Sequence, residues 1–208
     1  MLRPNTRQSK NTHKPNEKVN YTIETIADFC KGQAYISFSG SMVQNVIIDH
    51  RDLNWHGALF VALKGSKVDG HSFIPEMLKQ GVIHFLVTDK SSIDQHEGTA
   101  NFILVDNAIQ ALQDIAAEHR ENFTTPVIGI TGSNGKTIVK EWLNELLEPS
   151  FSICRSPKSY NSQIGVALSV TKLNRNHTLA IFEAGISRPS EMQSLQRMIA
   201  PTLGVFTN

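Results

Sequence analysis

Residues 126–142 constrain the fold of this chain more than any other stretch. Residues 127–130 form a short, mostly β-branched run bounded by Pro126 and Gly132, a pattern typical of a buried strand. Beyond the loop the apolar residues take the spacing of one helix face, and they are Val139, Trp142, Leu143, Leu146 and Leu147. The sequence therefore predicts a strand, a glycine loop and a helix in direct succession, with Trp142 in the core, as at the start of an α/β fold.

The loop in this segment has the composition of a phosphate-binding loop. Its residues are Gly132, Ser133, Asn134, Gly135, Lys136 and Thr137. Such a loop directs backbone N–H groups and a helix N-terminus at one point, which suits a phosphate. Lys136 can then reach the terminal phosphates of a nucleoside triphosphate, and the Thr137 hydroxyl can bind Mg²⁺. Ile130 stands where the usual pattern has glycine, and the alternative interpretation is an ordinary turn with a surface lysine.

The composition argues against several classes of protein. The formal net charge of +1 gives no electrostatic reason to expect nucleic acid or an anionic membrane as partner. No apolar run approaches the roughly 20 residues of a membrane span, and the first twenty residues lack the apolar stretch of a secretory signal. The two cysteines, Cys30 and Cys154, form no metal-binding pattern and are expected to be reduced thiols. We therefore expect a cytoplasmic protein without nucleic-acid or membrane partners.

The first part of the chain is predicted to contain a tail and a small domain. Residues 1–20 are polar and basic, so we expect a disordered tail. Thr22 can cap a short helix that Gly32 ends, and Asp106 or Asn107 can cap a longer one. Strand-like runs lie between these helices at 46–48, 58–63, 83–88 and 102–105, with a helix near 74–80. With a polar linker at 122–126, these elements predict a mixed α/β domain over residues 21–125.

The second part of the chain alternates regularly between strands and helices. After the loop and its helix, strands are predicted at 151–154, 179–183 and 203–206, with helices at 163–173 and 190–199. Such alternation implies βαβ crossovers and a parallel sheet. The sequence ends directly after an apolar strand. We therefore expect residues 126–208 to be the first part, cut short, of a P-loop parallel-sheet domain.

Six stretches in chain order resemble one family, the Mur ligases of peptidoglycan synthesis. In the second part they are the loop at 131–137, the pair Lys140-Glu141, the segment 161–165 and the strand 181–185 that carries Glu183. In the first part they are residues 59–65 and 69–74. Two positions depart from the family pattern: Ser162 replaces a second asparagine, and His50 replaces the serine of an Asp-Ser-Arg segment. Lys140-Glu141 is similar to the subtype that adds D-alanyl-D-alanine.

The resemblance implies a fold, a reaction and a set of site residues. The fold is a UDP-sugar domain followed by part of an ATP-binding domain. The reaction is the ATP-dependent joining of D-alanyl-D-alanine to UDP-N-acetylmuramoyl-tripeptide through an acyl phosphate. Lys136 and Asn161 would act on the phosphates, and Thr137 and Glu183 would bind Mg²⁺. The substrate contacts in the first domain would be Asp49, Arg51, Lys64 and His71.

Plainer interpretations of three of these residues stay open. Glu183 could be a solvated carboxylate at a strand end, Asn161 a turn residue, and His71 a turn histidine. Three other functions also stay open: the sister ligase that adds the third residue, a folate-type relative, and a non-catalytic remnant that binds nucleotide or UDP-sugar.

Residues 206–208 resemble the start of a family segment whose histidine is a second metal ligand. The resemblance places that histidine, a carbamylated lysine and an amine-binding domain further along a longer chain. We therefore expect this 208-residue chain to be inactive alone, with further or fused domains left open.

Overall fold

The computed structural model describes residues 21–157, 160–186 and 191–208. The predicted tail and Ser190 lie outside the described residues. In chain order the strands are β1 (Tyr21–Thr22), β2 (Gln33–Tyr35), β3 (Met42–Val43), β4 (Asn45–Ile47), β5 (Ala58–Val61), β6 (His84–Val87), β7 (Asn101–Leu104), β8 (Val127–Gly132), β9 (Ile153–Arg155), β10 (Leu179–Glu183) and β11 (Leu203–Thr207). The helices are α1 (Ile23–Cys30), α2 (Ile74–Lys79), α3 (Ser91–Asp94), α4 (Ala108–Glu121), α5 (Lys136–Leu147), α6 (Gln163–Val170) and α7 (Glu191–Ile199), with a 3₁₀ turn at Gly70–Phe73.

The first part of the chain forms a five-stranded sheet in the order β2-β7-β6-β5-β4. Strands β4 to β7 run parallel, and β2 pairs antiparallel with β7. Phe60, Phe85 and Phe102 are buried side by side across three neighbouring strands. The four predicted strands of this part are confirmed to within two residues. Strand β2 was not predicted, because Gln33–Tyr35 is too short and too polar to show a pattern.

Side-chain caps begin α1 and α4, the two helices that cover one face of this sheet. The Thr25 N–H donates to Thr22 Oγ1 at 3.2 Å, which confirms the first predicted cap. Of the two candidates for the second cap, Asn107 is the one used, and its side-chain oxygen accepts from two backbone N–H groups. Helix α1 ends just before Gly32, as predicted, and the left-handed residue at its end is Lys31. Gly32 is required for space, because a Cβ there would lie 2.3 Å from Ile103 Cγ2.

The second part forms a four-stranded parallel sheet in the order β11-β8-β10-β9. Leu179 and Ile181 belong to one apolar cluster, against which residues of α5 pack. Ala180 and Phe182 belong to a second cluster, which includes residues of α6 and α7. Since alternate residues of a strand point to opposite faces, α5 covers one face and α6 and α7 the other. This arrangement confirms the predicted parallel α/β sheet.

The prediction that Trp142 lies in the core is wrong. Trp142 is 63% exposed, and its neighbours on the helix, Ile138 and Leu146, are also exposed. The residues of α5 that contact the sheet are Val139, Leu143 and Leu147. Trp142 lies about 100° around the helix from Leu143. It therefore falls outside the narrow stripe that contacts the sheet and stays at the surface.

Helix α4 lies before the expected domain boundary near residue 125, yet it packs against α6 and α7. One buried cluster contains Leu112 and Ile115 of α4 together with Val166 of α6 and Leu195 of α7. The five-stranded sheet and a two-stranded β1-β3 sheet lie before residue 125, and the four-stranded sheet lies after it. The division into two domains stays a prediction. Among the helices of the described part, none is long and apolar enough to cross a membrane.

Candidate functional site

The loop between β8 and α5 leaves a helix N-terminus without a side-chain cap. Gly135 occupies the cap position with a left-handed backbone (φ +77°), and no side chain accepts from the first turn. Gly132 has φ +137°, and a Cβ there would lie 2.1 Å from the Thr207 carbonyl oxygen on the neighbouring strand. The two glycines thus serve a sharp turn and a close strand approach, respectively. The N–H groups that begin α5 thus have no side-chain cap, an arrangement that suits an anion.

Two polar side chains of the first helical turn lie at this loop. Lys136 Nζ donates to the Gly132 carbonyl oxygen at 2.6 Å and to the Ser133 carbonyl oxygen at 3.2 Å. The ammonium group therefore lies over the loop, where a bound phosphate would replace the carbonyls as its partner. The Thr137 hydroxyl donates to Glu183 Oε2 at 3.0 Å. Thus Lys136, Thr137 and Glu183 meet at the carboxyl ends of β8 and β10.

Glu183 is fully buried, so its interpretation as a solvated strand-end carboxylate is wrong. The ammonium group of Lys140, which is also fully buried, lies 2.8 Å from Glu183 Oε1. Lys140 Nζ also donates to the Ser156 carbonyl oxygen at 2.9 Å. The sequence pattern predicts no contact for Lys140 and does not single out Ser156. The available signal was the position of Lys140 between Val139 and Leu143, inside the stripe that contacts the sheet.

The oxygen atoms at this point fit Mg²⁺. Within the described ranges no donor makes a well-aligned hydrogen bond to the buried Glu183 Oε1, whose close contact with Lys140 is ionic. A carboxylate and a hydroxyl are the hard ligands that Mg²⁺ prefers, and the ion commonly completes its shell with phosphate oxygens and waters. The described residues contain no group of three His, Cys, Asp or Glu side chains that could cage a metal. Thr137 and Glu183 therefore suit a metal that arrives with a nucleotide.

Asn161 lies at the same edge of the second sheet. The Gly185 N–H donates to the Asn161 carbonyl oxygen at 2.9 Å, and a Cβ on Gly185 would lie 2.8 Å from Asn161 Cγ. These contacts hold Asn161 against Gly185, which lies two residues after Glu183, the last residue of β10. Ser162, which departs from the family pattern, caps α6 by accepting from the Gly165 N–H. A hydroxyl can perform this role as well as an asparagine.

Asp49 and Arg51 follow the carboxyl end of β4 in the first sheet. They form a bidentate ion pair, with Nε and Nη2 of Arg51 at 2.9 and 2.7 Å from the two carboxylate oxygens. The hydrogen bond from Arg51 holds the pKa of Asp49 well below its usual range. His50, between them, stacks on Phe73 with ring centroids 3.8 Å apart. This contact joins the loop after β4 to the 3₁₀ turn that follows β5.

Lys64 and His71 belong to the connection between β5 and α2. The backbones of Lys64 and Asp69 pair in an antiparallel β-bridge. The Asp69 side chain accepts a hydrogen bond from His71 Nδ1 at 2.6 Å. The Thr88 N–H donates to His71 Nε2 at 3.0 Å, which places the ring proton on Nδ1. Both ring nitrogens of His71 are thus used within the fold. This geometry favours the turn-histidine interpretation, and the role of His71 in substrate binding stays a prediction.

The four predicted substrate residues therefore lie near the carboxyl ends of β4, β5 and β6. In parallel α/β sheets this edge is where ligands bind. The structure brings Asp49 and Arg51 into contact with each other and links them to the turn of His71 through His50 and Phe73. It does not bring Lys64 into a side-chain contact with any of the other three among the residues it describes.

Comparisons with known proteins match both parts of the chain. The model "Mur ligase family, catalytic domain" matches residues 43–120, and the model "Mur ligase middle domain" matches residues 130–208. The UDP-N-acetylmuramoyl-tripeptide--D-alanyl-D-alanine ligase of Bacillus subtilis (strain 168) is 35% identical over 188 residues, which are 90% of this chain and 40% of that protein. The protein of the same name from Synechocystis is 36% identical over 188 residues, 90% of this chain and 41% of that protein.

Solved structures give the same result for the fold. MurF from Acinetobacter baumannii superposes with a TM-score of 0.81 at 23% identity, over 93% of this chain and 41% of that chain. MurF ligase from Thermotoga maritima in complex with ADP superposes with a TM-score of 0.66 at 30% identity, over 76% of this chain and 36% of that chain. The chain spans about 40% of the length of the curated relatives above.

Proposed function

This chain belongs to the Mur ligase family, and on that premise we propose that it carries the UDP-sugar and ATP sites of a D-alanyl-D-alanine-adding ligase. The ligase would join D-alanyl-D-alanine to UDP-N-acetylmuramoyl-tripeptide, the reaction that the names of the Bacillus subtilis and Synechocystis relatives state. The observation that carries the proposal is the cluster at the phosphate loop. An uncapped helix N-terminus, the Lys136 ammonium and the pair Thr137–Glu183 converge there.

The phosphate loop would position ATP for attack on its γ-phosphorus. Phosphoryl transfer depends mainly on positioning and on neutralising charge, and it needs no protein nucleophile. The amides between Gly132 and Gly135 would hold the phosphates, and Lys136 would exchange its contacts with the loop carbonyls for the β- and γ-phosphates. Bound Mg²⁺, held by Thr137 and Glu183, would supply positive charge against the triphosphate.

The reaction forms two bonds in sequence. A carboxylate oxygen of the tripeptide attacks the γ-phosphorus as the bond to the β–γ bridging oxygen breaks, which gives an acyl phosphate and ADP. The amine of D-alanyl-D-alanine then attacks the acyl carbon, and phosphate leaves as the C–N bond forms. Asn161, held near Glu183, would contact the phosphate side of the acyl phosphate. We assign no described residue to the amine.

The first sheet would hold the UDP-sugar at the carboxyl ends of β4 to β6. Arg51 is the strongest candidate to bind the anionic diphosphate, because its guanidinium is exposed and would keep its positive charge there. Lys64 would contribute a second positive charge near the same edge. Asp49 would orient Arg51 through the observed bidentate pair, and His71 would keep the intervening turn in place.

Calorimetric titration of the 208-residue chain with ATP and Mg²⁺ tests the nucleotide site. Lys136→Met should weaken ATP binding about tenfold or more, because a charge-assisted hydrogen bond to phosphate is lost. Lys172→Met, at an exposed lysine after α6, is the matched control and should bind as the unchanged chain does. Absence of ATP binding by the unchanged chain, or equal affinities of the two variants, would contradict the proposed site.

Titration with UDP-N-acetylmuramoyl-tripeptide tests the first sheet in the same way. Arg51→Ala should weaken its binding, whereas Lys31→Ala, at an exposed lysine after α1, should not. The reaction itself is tested on the longest natural form of the protein by measuring phosphate release. Release with D-alanyl-D-alanine supports the proposal. Release only with a single amino acid would instead indicate the sister ligase, and binding without any release a non-catalytic protein.

We place this activity in the cytoplasm. Its nucleotide and UDP-sugar substrates are cytoplasmic compounds, and both cysteines, Cys30 and Cys154, are buried free thiols. Burial raises the pKa of Cys30 to about 11, so that thiol is a poor nucleophile. Reduced, unreactive thiols are typical of a cytoplasmic protein. Fractionation of the native host, followed by detection of the protein in each fraction, tests this placement.

A further inference from the structure

Lys140 lies one helical turn after Lys136, on the side of α5 that contacts the sheet. Its side chain is fully buried, and the neighbours of its ammonium group include three oxygen atoms of the described residues at the carboxyl edge of the second sheet. Nζ lies 2.8 Å from Glu183 Oε1, 2.9 Å from the Ser156 carbonyl oxygen and 3.3 Å from Glu141 Oε1. A lysine is almost never fully buried unless it is paired in this way.

These contacts join three elements at one point. Lys140 comes from α5, Ser156 follows β9, and Glu183 ends β10. The Glu183 backbone N–H also approaches Ser156 Oγ at 3.4 Å. On the outer side, Glu141 forms an ion pair with Arg155 at the end of β9. The position of the P-loop helix relative to Glu183 is therefore set in part by the Lys140 ammonium.

Lys140 also determines how the carboxylate of Glu183 is turned. One oxygen, Oε1, faces the ammonium, and the other, Oε2, accepts from the Thr137 hydroxyl at 3.0 Å. Rotation of the carboxylate would break at least one of these contacts. Since the carboxylate is fully buried, a broken contact would leave a buried charge without that partner, at a cost in free energy. The orientation of Glu183 toward Thr137 is thus held from both sides.

Stability alone does not account for this buried pair. Replacing a buried ion pair with apolar side chains of similar volume is often neutral or stabilising, so a purely structural role would be served equally well by a hydrophobic contact. The pair lies instead against the residues that fit Mg²⁺. Partners of this kind, one shell away from a metal, usually fix the orientation of the ligand that they touch.

We propose that Lys140 is a positioning residue, which holds Glu183 in the orientation that accepts the Mg²⁺ of the bound nucleotide. This inference rests on the proposed function, because it requires that the loop bind a nucleotide with Mg²⁺. Lys140 acts through Glu183, so it should contribute little to nucleotide binding when no metal is present.

The test compares ADP affinity with Mg²⁺ and with EDTA, by calorimetry, for the unchanged chain and for Lys140→Met. The ratio of the two affinities measures the contribution of the metal. Lys140→Met should reduce that ratio about 10- to 100-fold, the usual loss when an outer partner of a metal ligand is removed. The affinity of Lys140→Met for ADP in EDTA should change less than about threefold, which is no more than the loss of one hydrogen bond would cause. Lys172→Met is the control and should leave both affinities unchanged.

The outcomes separate this inference from the proposed function. If the unchanged chain binds no ADP with Mg²⁺, the proposed function fails and this inference fails with it. If the unchanged chain shows the metal contribution and Lys140→Met retains it, the function stands and only the inference is overturned. Should Lys140→Met not fold, Lys140→Gln replaces it with the same two outcomes, because its amide keeps a donor for the Ser156 carbonyl oxygen. A lower unfolding temperature with an unchanged ratio indicates a purely structural role and also overturns the inference.

Discussion

Two arginines join α4 to the region of α7, and we expect them to contribute very different amounts to stability. Arg120 is buried and donates to four carbonyl oxygens, those of Ile199, Ala200, Phe123 and Thr125, at 2.6 to 3.3 Å. Within the described residues it has no carboxylate partner. Arg197 is more than half exposed and forms an ion pair with Asp114 at 2.6 Å. We predict that loss of Arg120 destabilises the chain much more than loss of the ion pair.

The magnitudes follow from burial. Arg120→Met removes the donor that these four carbonyls share, and a buried acceptor left unsatisfied, as at Ile199, costs about 1–3 kcal/mol. Burial also lowers the pKa of the Arg120 guanidinium, which reflects a desolvation cost that the variant no longer carries. After this offset, and because some carbonyls will reach water, we expect a net loss of about 3 kcal/mol. Arg197→Met should cost about 0.2–1 kcal/mol, as exposed ion pairs do.

Urea denaturation followed by far-ultraviolet circular dichroism measures both effects. With a slope of about 1–3 kcal/mol per molar urea, Arg120→Met should move the midpoint by about 1 M or more, and Arg197→Met by much less. The small effect of Arg197→Met should also shrink in 0.5 M NaCl, because salt screens exposed charges. Equal losses for the two variants, or a loss below about 1 kcal/mol for Arg120→Met, would refute the reasoning from burial.

Three further predictions concern the loop, the core and acid stability. Gly132→Ala should cost more than about 2 kcal/mol in urea denaturation, because its Cβ would lie 2.1 Å from the Thr207 carbonyl oxygen. Gly98→Ala is its control, with φ +77° but open space, and should cost only about 1 kcal/mol, so equal losses would contradict the steric argument. Phe182→Ala, at a fully buried ring, should cost about 3–5 kcal/mol by the same assay, and a loss below about 1 kcal/mol would contradict the assigned core. Stability should also fall as the pH drops below about 6.5, because burial lowers the pKa of His119 and only the unfolded chain takes up a proton on this side chain. In urea midpoints measured from pH 7 to pH 5, His119→Gln should reduce the dependence of stability on pH. An unchanged pH dependence would exclude His119 as a cause of the acid destabilisation.

Much of the secondary structure could be predicted from the sequence, because its signals are local. The run of Val127 to Ile130 followed by helical spacing predicted β8, the loop and α5 in the correct order. Thr22 and Asn107 were candidates for helix caps for the same reason, since a capping side chain reaches only two or three residues along its own chain. The composition of residues 132–137 likewise predicted a phosphate loop without knowledge of any distant residue.

The wrong predictions concern properties that no local pattern contains. Trp142 has the spacing of a core residue, but which residues of an apolar stripe are covered depends on which of them the sheet contacts, here Val139, Leu143 and Leu147. Strand β2 is defined by antiparallel pairing with β7, whose sequence is far away along the chain. The plain interpretation of Glu183 failed because a strand end can be either solvated or enclosed by its neighbours.

The sequence alone thus determined the order of most of the elements, a loop with the composition of a phosphate loop, and the family to which the chain is similar. The order of strands in each sheet was decided by tertiary structure, because it depends on how crossovers pack rather than on any single segment. That order places β8 beside β10, and it brings Thr137 and Lys140 of α5 to the two oxygens of Glu183. The proposed metal site is therefore a property of the fold, since its groups lie far apart in sequence and meet only where parallel strands end together.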